Sequence, residues 1–312
     1  MNLNKISLNL SSLPFNLNYS KYSKKKKIKN KKFLREIHNF IKFKVGGFEF
    51  PYLRFFDLEE KNFKDFEKFL IKNNLTYILD CNKKFSISEF KKILPIAKRL
   101  NLKFIRIKAT NVLSNEKYKL KKPWKYILNE IIIKIKRITP ILKRNNLKLA
   151  IENHQDLSSS DLNYIIKKIG SEYVGINFDV GNSICSFETV EYFIKKNRRH
   201  ILNIHLKNYQ VFYLEKIISL KSVALDDGYI DFRKILILIE KYTPSANLSL
   251  EMGALDNRNI LIENESQKKF ILDKIKLSKP INIFYDFEKI DIAKHEIKLI
   301  TKSLDFLKKL KS

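Results

Sequence analysis

Four polar residues between positions 152 and 251 each follow a short apolar run, at the position where a β-strand is expected to end. They are Glu152 in LAIENHQD, Asp179 in GINFDVGN, His205 in LNIHLKN and Glu251 in LSLEMGA. The first three are separated by 27 and 26 residues, about the length of one strand with its following helix. The spacing predicts that these side chains emerge at similar heights along one edge of a parallel sheet.

Three carboxylates and one imidazole at a common point would be strongly unfavourable without a cation between them. The set is rich in oxygen and contains no thiolate, which favours Mn²⁺, Mg²⁺ or Co²⁺ over a structural zinc ion. An ordinary polar strand end facing solvent would explain any one of the four residues, but four in successive strands favour a shared site. We therefore predict that they bind one divalent metal ion.

The elements that position these residues follow a regular alternation of short apolar runs and stretches with helical spacing. The runs predict strands at 6–10, 47–52, 76–81, 103–109, 148–152, 174–179, 201–205 and 247–251. The stretches predict helices at 32–42, 61–72, 86–100, 124–145, 159–169, 188–196, 232–242 and 291–310. Eight strand and helix units predict an α/β fold, a single (β/α)8 TIM barrel covering residues 1–312. An open doubly wound sheet is disfavoured because the chain has no G-x-G-x-x-G motif and no P-loop.

Two features interrupt this pattern. The connections 208–231 and 254–290 are long, and since both follow strands we expect them to be binding loops on the catalytic face of the barrel. Glu49 and Arg106 are charged residues inside predicted strands, where a charge is unusual unless it is paired. We expect the two to form an internal, structural ion pair.

The composition restricts the class of protein. The 312 residues are 44% hydrophobic and carry a formal net charge of +29. Lysines account for most of the excess and are spread along the chain, so a nucleic-acid partner is not expected, because a binding footprint should cluster on one face. The two cysteines, Cys81 and Cys185, form no CxxC pair, and no apolar run reaches membrane-spanning length. These features predict a cytoplasmic protein without a membrane segment.

The motifs IENHQD, FDVGNS, HLKN, DDGYIDF and LSLEMGAL resemble those of the sugar phosphate isomerase/epimerase family, the xylose-isomerase-like barrels. The resemblance is densest over residues 124–260 and is weaker over 6–109. It implies that Glu152, Asp179, His205 and Glu251 bind one divalent metal, and that the substrate is a sugar or sugar phosphate. It also implies that Glu152 and Glu251 act as acid and base on a sugar carbon, with the metal stabilising the enediolate.

Other residues bear on the substrate. Asn182 stands where the ketose epimerases have a sugar-contacting histidine, and it can still hydrogen-bond a hydroxyl. In the motif IENHQD, His154 and Asp156 resemble residues of a subgroup that includes decarboxylases and dehydratases of oxidised sugar acids, whose chemistry is the alternative reaction. Lys207 lies two residues after His205, so strand alternation directs it to the same side, where it could contact a phosphate or carboxylate. Arg258 is a candidate anion contact in the second long connection.

Two further alternatives remain. Apurinic endonucleases share this barrel, but that branch builds a three-metal cluster with additional histidines, and this chain has only 5 histidines. A barrel that has lost catalysis and serves as a scaffold is disfavoured because all four ligand positions are filled. Related barrels often form dimers or tetramers, although no motif in this chain specifies an interface between subunits.

Overall fold

The computed structural model describes residues 5–13, 16, 37–55, 58–113, 116–253, 257–279 and 291–310. Within these ranges, the strands are β1 (Ile6–Asn9), β2 (Gly47–Pro51), β3 (Thr76–Lys84), β4 (Phe104–Lys108), β5 (Lys148–Glu152), β6 (Val174–Asp179), β7 (Ile201–Leu206), β8 (Asn208–Leu214), β9 (Ile217–Val223), β10 (Asn247–Leu250) and β11 (Asn257–Leu261). The helices are α1 (Glu60–Lys72), α2 (Ile87–Arg99), α3 (Trp124–Arg144), α4 (Ser159–Ile169), α5 (Val190–Asn197), α6 (Phe232–Tyr242), α7 (Glu265–Lys274) and α8 (Ile292–Lys309).

Eight of the strands close into a parallel barrel in the order β1, β10, β7, β6, β5, β4, β3, β2. The (β/α)8 barrel predicted from the sequence is confirmed. The predicted first helix lies partly outside the described residues, because 32–36 are not among them, and a short 3₁₀ helix, His38–Phe43, precedes β2. None of the helices in the described ranges combines the length and apolarity needed to cross a membrane.

The helix α4 shows how local sequence sets the element boundaries. The Ser158 side chain accepts a hydrogen bond from the Asp161 backbone N–H, and the Asp161 carboxylate accepts one in return from the Ser158 backbone. This capping box satisfies amide groups that the first turn of a helix leaves unpaired. The helix ends at Gly170, whose φ of 64° is a left-handed conformation that glycine adopts without a steric penalty. The apolar residues between these ends are buried against the barrel.

The interior of the barrel is unusually polar. Outward-facing strand residues such as Ile151, Phe178 and Ile204 are buried in the apolar core beneath the helices. On the inner side, the Asn203 amide donates to Asn177 Oδ1 at 2.5 Å and its oxygen accepts from Asn247 at 2.9 Å. Hydrogen bonds between neighbouring strands therefore partner polar groups that would otherwise be costly to bury.

A second, antiparallel sheet of three strands, in the order β11, β9, β8, is inserted after β7 and β10. It has a separate apolar cluster that includes Val211, Leu220, Ile260 and Ile271 of α7. Within the described residues, the two long connections therefore contain regular structure, with β8 and β9 in the first and β11 and α7 in the second. The sheet follows the carboxyl ends of barrel strands, so it adjoins the face where the four predicted ligands lie.

Candidate metal centre

The four predicted ligands meet at the carboxyl-terminal mouth of the barrel. Glu152 ends β5, Asp179 ends β6, His205 lies near the end of β7 and Glu251 directly follows β10. One ligand atom from each residue lies within 4.8 Å of the others. The side chains of Glu152 and His205 are fully buried, that of Asp179 is 1% exposed and that of Glu251 is 14% exposed.

Two carboxylate oxygens in this group fit a bound cation. Glu152 Oε1 and Asp179 Oδ2 are buried, and neither accepts a hydrogen bond from the part of the chain that the structure describes. An ionised oxygen in such a position is strongly destabilising unless a positive charge compensates it. The donor set of three carboxylates and one imidazole suits a divalent cation such as Mn²⁺, Mg²⁺ or Co²⁺.

His205 is held between carboxylates on both sides of its ring. Nε2 lies 3.0 Å from Glu49 Oε2, whereas Nδ1 lies 2.6 Å from Glu251 Oε2 and 3.8 Å from Glu152 Oε1. Burial alone would lower the pKa of His205, but Glu49 and Glu251 raise it well above its usual value. The ring nitrogen that lies close to Glu152 and Glu251 is Nδ1.

Arg106 in β4 forms buried ion pairs with Asp80 of β3 and with Glu152 Oε2. The predicted pairing of Arg106 with Glu49 was wrong. The strand order explains the difference, because β3 separates β2 from β4 and places Asp80 directly opposite Arg106. Arg106 engages one oxygen of Glu152 and leaves the other directed at the ligand group.

The two glutamates of the centre have opposite pKa shifts. Burial raises the pKa of Glu152 to about 8 despite the opposing effect of Arg106. Burial also acts to raise the pKa of Glu251, but Lys207 and His205 outweigh it and hold that pKa well below its usual value. A cation bound between them would favour the ionised form of both carboxylates.

The backbone around Asp179 fixes the direction of its side chain. Asp179 Oδ1 accepts hydrogen bonds from the backbone N–H groups of Gly181 at 2.9 Å and Asn182 at 3.2 Å. The Asn153 amide bonds the backbone N–H and carbonyl of Asp179 at 2.7 and 3.0 Å. Since a side chain at position 181 would place its Cβ 2.8 Å from the Tyr209 ring, glycine is needed for this close turn. Oδ2 is thereby left to face the centre.

Lys207 lies inside the site rather than at its rim. Its side chain is 2% exposed, and Nζ lies 3.2 Å from Glu251 Oε1 and 3.9 Å from Asp179 Oδ2. This lysine therefore compensates the charge of two of the ligands. Its predicted contact with a substrate anion stays a prediction.

The three other predicted substrate contacts lie around the same mouth. Arg258 in β11 donates to Asn182 Oδ1 at 2.8 Å and lies 5.6 Å from the centre of the Tyr209 ring. His154 follows the ligand Glu152 by two residues, and its Nδ1 is buried with no hydrogen-bond partner in the described ranges. Burial and the nearby cations Lys108 and Arg258 lower the pKa of His154 well below its usual value, so its ring is neutral.

Reasoning from sequence missed Asn9 and Asp80 as residues that support the ligands, and it assigned Glu49 the wrong partner. Asn9 Nδ2 donates to Glu251 Oε2 at 2.9 Å, Glu49 contacts His205, and Asp80 holds Arg106. All three lie in barrel strands and are buried. A signal was available, because each is a polar or charged residue inside a predicted strand. The residue that each of them contacts on another strand could not be deduced without the strand order.

Comparison with known proteins agrees with this architecture. The family model described as xylose isomerase-like TIM barrel matches residues 42–269. The chain belongs to that family. No curated protein matches the chain.

Several solved structures share the fold at low sequence identity. A D-psicose 3-epimerase solved in the presence of D-fructose is 10% identical with a TM-score of 0.67, covering 97% of this chain and 98% of that chain. A probable 3-DHS dehydratase from Bacillus anthracis is 12% identical with a TM-score of 0.62, over 97% and 98%. A xylose isomerase-like TIM barrel protein from Mycobacterium smegmatis, in complex with magnesium, is 13% identical with a TM-score of 0.61, over 96% and 97%.

Proposed function

We propose that this protein is a divalent-metal-dependent isomerase or epimerase of a sugar or sugar phosphate. The observation that carries the proposal is the convergence of Glu152, Asp179, His205 and Glu251, whose ligand atoms lie within 4.8 Å of one another at the barrel mouth. Catalytic groups of this fold come from the carboxyl ends of several strands. Several of the similar structures are sugar epimerases, the D-psicose 3-epimerase among them, which supports this class of reaction.

The two glutamates supply the proton-transfer groups. Glu152 and Glu251 come from β5 and from the end of β10, and β6 and β7 lie between these strands. They therefore approach a bound sugar from different sides, so one can remove a proton from a carbon while the other returns one. A bound divalent ion would polarise the adjacent carbonyl and stabilise the negative charge that develops on it. Arg106 and Lys207 hold the carboxylates in position.

The first test is metal content. Purified wild-type protein loaded with Mn²⁺ should hold about one ion per chain. The variant Glu251→Gln should lose it, because it replaces one of the anionic ligands with a neutral amide. Glu296→Gln is the matched control, since Glu296 is a buried carboxylate in α8 that accepts hydrogen bonds from Asn16. Absence of metal from the wild-type protein after loading would overturn the proposed site.

The second test is turnover. A screen of ketoses and sugar phosphates with added Mn²⁺ should identify a substrate whose isomer or epimer accumulates. Glu152→Gln should then reduce kcat by roughly 10²-fold or more, as expected when an acid or base is removed. Its circular dichroism spectrum should match that of the wild type. More than a tenth of the wild-type rate would contradict the acid and base assignment.

A second candidate reaction, dehydration or decarboxylation of an oxidised sugar acid, is supported by His154. This neutral imidazole is buried beside the ligand Glu152, and Lys108 and Arg258 act on it electrostatically. An acidic substrate would match these cations, and the similar structures include a probable dehydratase. Release of water or CO₂ from a sugar acid, lost in His154→Asn but retained in Glu296→Gln, would favour this reaction over epimerisation.

A further inference from the structure

Glu49 and His205 make a contact across the barrel interior. Glu49 lies in β2 and His205 in β7, and the order of the closed sheet places β1 and β10 between these strands. Even so, Glu49 Oε2 lies 3.0 Å from His205 Nε2, and both side chains are fully buried. The contact is therefore made by side chains that meet in the middle of the barrel.

The partner of Nε2 bears on the tautomer of His205. A carboxylate offers its oxygens as acceptors, so Glu49 Oε2 opposite Nε2 favours the tautomer in which Nε2 carries the hydrogen and donates it to Glu49. The opposite nitrogen, Nδ1, lies 2.6 Å from Glu251 Oε2 and 3.8 Å from Glu152 Oε1. Histidine ligands of metal sites are commonly oriented in this way by a carboxylate on the second ring nitrogen.

The contact of Glu49 with His205 differs from an ordinary structural ion pair. Asp80, a buried acid on the neighbouring strand β3, lies against the guanidinium of Arg106. Glu49 has no comparable permanent cation within the described residues, and its Oε1 accepts no hydrogen bond from them. A buried carboxylate oxygen without a partner is costly. What Glu49 contributes is therefore the orientation of His205.

We propose that Glu49 is a positioning residue, which holds His205 in the tautomer and ring orientation that present Nδ1 to a divalent cation. The inference rests on the proposed metal centre. It assigns Glu49 no contact with the metal or the substrate. Its effect should appear first in metal affinity.

The variant Glu49→Leu tests this role. The dissociation constant for Mn²⁺, measured by competition with a chelator, should rise about 10- to 100-fold, as found when the outer partner of a ligating histidine is removed. Glu49→Gln should lie between wild type and Glu49→Leu, because its amide oxygen can still accept from Nε2. Glu296→Gln removes an equally buried carboxylate in α8 and should stay within about twofold of wild type.

A spectroscopic measurement on the wild-type chain tests the same proposal without a variant. With ¹⁵N-labelled histidine and Mg²⁺ bound, long-range ¹H–¹⁵N spectra should show His205 protonated at Nε2. His205→Gln assigns the signal among the 5 histidines. Protonation at Nδ1 instead, or an unchanged Mn²⁺ affinity in Glu49→Leu, would overturn the role of Glu49 and leave the metal centre standing. A folded wild-type protein that binds no divalent ion would overturn both.

Discussion

Arg106 shows how strongly single residues at this centre depend on their neighbours. Its guanidinium is buried between the carboxylates of Asp80 and Glu152, and the three side chains are at most 5% exposed. An ion pair in such a place gains little net stability from its own attraction, because desolvation of the charges offsets it. Removing one partner is much more harmful, since the remaining charges stay buried without compensation.

We therefore expect Arg106→Met to destabilise the metal-free protein by about 3–5 kcal/mol, as is typical when a buried pair is broken. The free energy of unfolding in urea measures this change. Arg99→Met is the control, because Arg99 pairs with Glu60 and Glu67 on the surface and is 30% exposed. Exposed pairs contribute about 1 kcal/mol or less. An equal loss in the free energy of unfolding for Arg106→Met and Arg99→Met would contradict the importance of the buried ion pairs of Arg106.

For single residues, the sequence predicts the four candidate ligands better than it predicts the residues that contact and orient them. Each of the four candidate ligands ends a recognisable apolar run, so local pattern was sufficient to predict that they meet at the barrel mouth. Asn9, Glu49 and Asp80 act through contacts with other strands of the closed barrel. Those contacts depend on strand order and tilt, which do not follow from local pattern.

The inserted sheet adds three antiparallel strands beside the mouth of the barrel. It is joined to the loop before α6 through Asn208, whose amide donates to the carbonyls of Leu225 and Ile230 at 2.8 and 3.0 Å. The same side chain accepts from the backbone of Tyr209 and Ile230 at 2.9 and 3.1 Å. One residue thus connects the start of β8 to the chain that enters α6. Arg258 and Tyr209, which adjoin the metal centre, depend on this sheet for their position.

Gly228 allows that connection, because a Cβ at this position would lie 2.2 Å from Asn208 Cγ. We expect Gly228→Ala to lower the free energy of unfolding by about 1–3 kcal/mol, the usual cost of overpacking a buried site. Chemical denaturation of the single and double variants with Asn208→Ala gives the coupling between them. The double variant should lose less stability than the sum of the singles. Strict additivity would mean that the clash with Asn208 is not the cause.

The sequence predicts the repeating barrel elements well and the insertions poorly. The helices α1 to α6 and α8 have apolar spacings that can be read locally, and the side chains of Ser86 and Asp231 cap α2 and α6. The inserted strands β8 and β9 form a hairpin, and β11 pairs with β9 across 36 to 44 residues of sequence. The three strands share an apolar cluster with α7, and local pattern did not show this sheet.

Across the whole molecule, the charge of +29 is the most unusual property. It attracts polyanions regardless of the chemistry at the barrel mouth, because binding to phosphates releases counterions. The one metal-binding group found in the described ranges includes a single histidine, His205. That set is smaller than the histidine-rich cluster implied by the resemblance to apurinic endonucleases.

We therefore expect weak binding to duplex DNA that does not depend on an abasic site. Affinity should fall by roughly 10³-fold between 50 and 200 mM salt if about six phosphates are contacted. Fluorescence anisotropy with matched intact and abasic duplexes measures both properties. Incubation with Mg²⁺ or Mn²⁺ should leave the abasic strand uncut. Cleavage at the abasic site, lost in Glu251→Gln, would instead assign the centre to phosphodiester hydrolysis.

The position of β1 in the closed sheet has a consequence for how the molecule is made. β1 pairs with both β2 and β10, and Asn9 bonds to Glu251 across 242 positions of sequence. Contacts over such separations form late, because ordering the intervening chain carries a large entropic cost. A growing chain on the ribosome exposes an incomplete sheet and only three of the four ligands until β10 emerges. The onset of tight cation binding would then mark the moment at which the barrel closes.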